Sequence, residues 1–147
     1  SISWEDLMPK DWNPIKQLQD ANPTFTEDSP QAMEAMREIW DRAPTVPALD
    51  GAAVRLPGYV VPLEQAQGEI REFLLVPYFG ACIHSPPPPA NQIVHVVSGK
   101  PPAGMKTMDV VWVSGTLQGK REASWMGVSG YAMRAAVIEP YVRPERK

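Results

Sequence analysis

A thiol and an imidazole two residues apart, Cys82 and His84, are the pair in this chain best suited to chemistry. They stand in the stretch FGACIHSPPPPANQ (79–92), which holds the only cysteine and one of the two histidines. If residues 81–85 run extended, side chains two apart share a face, and Ile83 turns the other way into the core. Thiolate and imidazole together are typical ligands for zinc or copper. Two ligands do not complete a site. His95, across a neighbouring strand, and Asp109 are the further donors, so the candidate metal set is Cys82, His84, His95 and Asp109. No Cys-x-x-Cys or His-Glu-x-x-His spacing occurs. The same pair could instead act as nucleophile and base in a cysteine-dependent enzyme. That alternative lacks an orienting third group and a glycine turn after the cysteine, and no residue is assigned a catalytic role. The plain alternative is a small buried cysteine beside a hydrogen-bonded histidine.

The residues around the pair suggest a rigid surface. Pro86, Pro87, Pro88 and Pro89 form a polyproline II turn of roughly 12 Å, at ~3.1 Å per residue. Such a rod either docks in an aromatic groove of a partner or acts as a stiff wall that fixes the Cys82 loop. Asn91 and Gln92 suit pairing with loop backbone groups. With Tyr78, Cys82 and His84, these residues make up the candidate ligand or partner surface.

The elements that must position this surface follow from composition and pattern. The 147 residues carry 44% hydrophobic and 21% charged side chains, as expected of one globular domain and not of a disordered chain. Residues 1–50 hold 4 Lys+Arg against 10 Asp+Glu, whereas the whole chain has a net charge of −3. An acidic first third therefore lies over a mildly basic body. No basic face is evident for nucleic acid, and no apolar run approaches the ~20 residues of a membrane span. A single cysteine excludes an internal disulfide. The start at Ser1 raises the expectation of an export leader upstream in the full gene product.

Seventeen prolines and ten glycines disfavour long helices and support short strands joined by shaped loops. Residues 1–28 read as an irregular arm whose tryptophans pack on the body. Residues 29–50 read as a helix and linker, with Ser29 as N-cap, Pro30 at the first helical position and an apolar stripe through Met36, Ile39 and Trp40. Residues 51–147 read as a β body with strands at 52–63, 71–79, 91–98, 108–119 and 129–141. Pro57-Gly58 suggests a bulge in the first strand. The aromatics Tyr59, Tyr78, Phe79, Trp112, Trp125 and Tyr131 belong to its core or rim. The fold class is mainly β: a small OB-like five-stranded antiparallel barrel with an N-terminal helical layer, as a single domain. The helix usual between the third and fourth strands is replaced by a loop at 99–107.

The string GYVVPLE…EFLLVPYFGACIHSPPPPANQIVHV, with ISWEDLMP before it and VSGTL…GYAM after it, resembles a bacterial family of exported proteins of unknown function. On this chain the family signature falls at Gly58, Tyr59, Pro62, Leu63, Tyr78, Gly80, Cys82, His84, Pro86 to Pro89, Asn91 and Gln92. The resemblance implies a periplasmic or lipoprotein-like accessory protein, non-enzymatic, encoded beside ABC transporters of the lipoprotein- or macrolide-export type. Some of those gene sets are linked to zinc supply, so the implied partner belongs to an envelope transport system; no cofactor is assigned, and zinc is the candidate, without the His-rich loop that zinc storage would use. A lipid anchor in the full-length protein fits the same picture.

Overall fold

The computed structural model describes residues 1–14, 16–17, 30–66, 69–83 and 87–141. Five strands close into a barrel: β1 (Ala53–Ala66), β2 (Glu69–Val76), β3 (Val94–Ser98), β4 (Val110–Ser124) and β5 (Gly127–Pro140). Their order around the barrel is β1-β2-β3-β5-β4, closed by β4 on β1. Four pairings are antiparallel and the fifth, β3 on β5, is parallel. This is the expected OB-like barrel, with one parallel seam that a strand count does not reveal. Between β3 and β4 the chain runs through loops and turns with no helix.

Strand alternation builds the core. Val54, Leu56 and Val60 of β1 point inward to meet Phe73 and Leu75 of β2 and Val94 and Val96 of β3. Val113 and Leu117 of β4 and Tyr131 and Met133 of β5 fill the other side. The ladder shifts register between Pro62 and Gln65, later in β1 than the Pro57-Gly58 bulge expected from sequence. Pro62 has no amide proton to hold the ladder at that point. Gly58 stays in regular register because the barrel needs its missing side chain. A Cβ there would lie 2.7 Å from Leu75 and 2.9 Å from the Trp4 ring.

β4 and β5 run longer than the sequence pattern suggests. They continue past the barrel as a hairpin whose tip is Trp125-Met126. The Ser124 hydroxyl ties this tip, donating to the Gly127 carbonyl at 3.0 Å and accepting from the Met126 amide at 3.2 Å.

The N-terminal segment is fastened to the body by polar groups. The Trp4 indole donates to the Pro57 carbonyl at 2.7 Å, and the Ile2 amide donates to the Arg55 carbonyl at 3.0 Å. Leu7, at the end of the 3-10 turn Trp4–Leu7, is fully buried in the barrel core. Helix α1 (Pro30–Asp41) docks differently from expectation. Met36, Ile39 and Trp40 are only half-buried, and Met33 is exposed. Trp40 meets Trp12 with ring centres 6.2 Å apart, and the Arg121 guanidinium donates to the Asp41 and Ala43 carbonyls at the end of the helix. The arm therefore takes part of the helix's apolar stripe, and Leu7 supplies the core contact expected of the helix. Residues 15 and 18–28 of the expected arm, and the Ser29 cap, lie outside the described residues.

Candidate functional site

After β2 the chain folds back over the outer face of the barrel and builds a second small core there. Val61, Leu74 and Val76 point outward and are buried by Ala81 and Ile93. Tyr59, Leu63, Cys82, Met108 and Met126 pack around them. OB-type barrels use the outer face of strands two and three to hold oligonucleotides and oligosaccharides. In this chain residues 77–83 and 87–93 and the β4–β5 tip cover the outer face of β1 and β2, and Val97 on β3 stays exposed.

Cys82 sits in the turn, half-buried, with a positive φ of 70°. A non-glycine residue in this region is uncommon and strained. Met108, which packs on the same cluster, also has a positive φ, of 65°, and its sulfur accepts the Gly80 amide at 3.2 Å. Gly80 itself is at 87°. The segment is therefore not extended, and the expectation that Ile83 turns into the core is corrected. Ile83 is exposed, while Cys82 packs against the second core. The left-handed turn rotates both side chains away from strand alternation.

Burial pushes the Cys82 thiol up to about 11. Burial, and to a lesser degree Cys82, also raises Tyr78. A thiol in this state keeps its proton at neutral pH and is a poor nucleophile. Because its folded value lies above its unfolded one, its contribution to stability is complete below the ordinary thiol value of 9.0 and is lost as pH rises through about 11. Iodoacetamide should accordingly alkylate the native protein near pH 8 about a hundredfold more slowly than the urea-unfolded chain. Equal rates for the two states would refute a buried neutral thiol.

His84 and Pro86 lie outside the described residues. Of the other metal candidates, His95 is on β3, where its Nε2 lies 2.7 Å from Glu72 Oε1 and its Nδ1 lies 3.6 Å from Glu122 Oε2. The Asp109 carboxylate accepts the Lys106 amide at 2.8 Å. Among the described residues, no three His, Cys, Asp or Glu side chains are grouped so as to hold a metal ion. Pro87 and Pro89 are half-buried and Pro88 is buried. Pro89 has the polyproline values φ −57° and ψ 154°. Pro87 lies against Gly127, where a Cβ would come within 3.1 Å of the ring. Pro87 thus lies against the hairpin.

Asn91 and Gln92 belong to a 3-10 turn, Ala90–Gln92, where the sequence pattern suggests a strand. Both are tethers. Gln92 Nε2 donates to the Trp4 carbonyl at 2.8 Å, and Asn91 Nδ2 donates to the Pro44 carbonyl at 3.0 Å. The turn therefore holds both the arm and the linker.

What remains at the surface of the second core is apolar and aromatic. Phe79 is 66% exposed and Trp125 75%, with Tyr78 and Ile83 also exposed. Phe79 stands edge-on to Tyr59, ring centres 6.0 Å apart. Beside them a groove of about 280 Å³ runs between β1 and the hairpin tip. A larger cleft of about 510 Å³ lies between the arm and the linker, lined by Trp12, Asn13, Lys16 and Thr45 among others. It is open, and among the described residues no set of buried polar groups converges on it. The groove at the hairpin escaped the sequence pattern because the hairpin tip lay inside a stretch without strand alternation. The isolated Trp125 was its one visible signal.

A closed OB-like barrel with a second core on its outer face places the chain in the OB-like class, with its candidate surface on that added layer. The chain belongs to the DUF3299 family, described as a protein of unknown function, whose model matches residues 4–140. It is similar to a DUF3299 family protein from Pseudomonas aeruginosa PAO1, at 39% identity and a TM-score of 0.77 over 98% of this chain and 97% of that one. An OBody bound to hen egg-white lysozyme overlaps at 19% identity and a TM-score of 0.41, over 65% of this chain and 86% of that one. That overlap is too low to carry anything across. No curated protein matches the chain. No described helix is long and apolar enough to cross a membrane.

Proposed function

We propose that this chain is a non-enzymatic binding protein, exported to the periplasm or outer envelope, that docks a protein partner of an ABC-transporter system through the layer formed by residues 78–83 and 87–92 and the β4–β5 tip. One observation carries the reading: Phe79, Ile83 and Trp125 are large apolar side chains held out from an ordered second core. Single exposed apolar residues are common, but a cluster on a rigid support is the usual mark of an interaction surface. The neutral Cys82 thiol favours a structural role for that residue over nucleophilic catalysis. Export, the transporter association and a link to envelope zinc homeostasis rest on the signature string alone. A zinc site would have to recruit His84 together with Cys82.

The test is site-specific photo-crosslinking in cells from Phe79 and Trp125, with exposed Glu139 as control, alongside fractionation of the native gene product. A defined adduct from positions 79 and 125, absent from 139, is expected in the envelope fraction. Equal labelling from all three positions, or a cytoplasmic protein, would overturn the proposal. Zinc titration of the parent, Cys82→Ser and His84→Ala proteins tests the metal link. Affinities no tighter in the parent than in both variants would remove it.

A further inference from the structure

The groove at the hairpin has a chemical character of its own. Val61, Pro62 and Leu63 form one wall, Ile83 and the Trp125-Met126 tip the other, and among the described residues Glu64 is the one charged side chain that lines it. The negative charge continues beyond it. Glu72 is the direct cross-strand partner of Glu64. Glu122 lies three residues before Trp125, and both Glu72 and Glu122 approach the His95 ring. Arg71, the cation of this part of β2, is engaged by Glu69 at 3.3 Å. Like charges directly opposite across a strand pair destabilise a sheet. Glu72 is offset in part by its contact with the His95 ring, so Glu64 is the carboxylate that costs stability where it stands.

We infer that this groove accepts a cationic apolar peptide segment of a partner protein: one aromatic or aliphatic anchor seated between Ile83 and Trp125, flanked by lysine or arginine lying over Glu64, Glu72 and Glu122. The inference rests on the binding role proposed above and adds the chemistry of the partner. A volume of about 280 Å³ takes one or two side chains, which suits a peptide anchor better than a broad protein face. The Ser124 hydroxyl ties the backbone of the tip, which lowers the ordering cost of presenting Trp125. The same carboxylates repel nucleic acid and anionic lipid. A second copy docked about a twofold axis through this groove would set glutamate against glutamate.

The experiment is selection of a random peptide library on the immobilised protein, followed by titration of the selected peptides. Enriched sequences should carry one large apolar residue with net positive flanks. Trp125→Ala should weaken their binding at least thirtyfold, as expected of a central aromatic anchor. Glu64→Lys should weaken it about tenfold and reduce its salt dependence, as expected of a rim charge. Trp125 is 75% exposed, so its replacement leaves the barrel intact, and a melting curve checks this. Enrichment of acidic or uncharged peptides, no enrichment at all, or full binding by Trp125→Ala would overturn the inference. Crosslinking from Phe79 and Trp125 to a partner segment that lacks basic residues would sink this inference and leave the binding role standing.

Discussion

Tyr131→Phe is expected to lower the unfolding free energy by about 2–4 kcal/mol, although it removes a single oxygen from a fully buried side chain. That hydroxyl donates to the Leu7 carbonyl at 2.7 Å and accepts the Val46 amide at 2.7 Å. Its loss leaves one buried acceptor and one partly buried donor unpaired, and each costs about 1–3 kcal/mol. Burial raises the phenol above its ordinary value, with the Val46 amide acting in the opposite direction. The group therefore remains a donor at neutral pH. Urea denaturation measures the loss. Limited proteolysis should show a second effect, faster cleavage near residues 8–14, because the bond to Leu7 holds the arm against β5. A change within about 0.5 kcal/mol of the parent would show that the arm is held by the Trp4 and Gln92 contacts without it.

Gly115→Ala should be still more disruptive, at about 3 kcal/mol or more. A Cβ at this position would lie 2.2 Å from the Arg134 carbonyl oxygen and 3.2 Å from Ala135 Cα. Both are backbone atoms of the partner strand, which cannot retreat without breaking the ladder. The β4–β5 register shifts between Ser114 and Gly115, so the two backbones meet at an irregularity in the pairing. Gly99→Ala is the control, since its Cβ would have nothing within 4 Å. It should stay within about 0.5 kcal/mol of the parent. Equal melting temperatures for the two variants would show that β4 and β5 can separate at Gly115 at little cost.

Much of the fold is legible in the chain, because strand alternation and proline punctuation are local signals. Val54, Leu56 and Val60 alternate along β1, and Phe73 and Leu75 along β2, so these strands announce themselves and their inward faces. The signature stretch is also legible as unusual, since prolines, an only cysteine and paired amides are matters of composition. Its conformation is not. The left-handed backbone at Cys82 arises from the packing of Ala81, Cys82 and Ile93 on the outer faces of β1 and β2, a contact between distant segments that no local period encodes. The same holds for the parallel seam between β3 and β5, which barrel closure decides. It holds too for the engagement of His95 by Glu72 and Glu122, since strand pairing brings together residues 23 and 27 positions apart. The sequence by itself determined a five-stranded barrel with a stiff, cysteine-bearing loop. Only the tertiary structure decided that the loop covers the outer face, turns Ile83 outward beside Trp125 and leaves an apolar groove with an acidic rim. The physical reason is that alternation and turn chemistry act over a few residues, whereas a binding surface is made by side chains whose neighbours come from other strands.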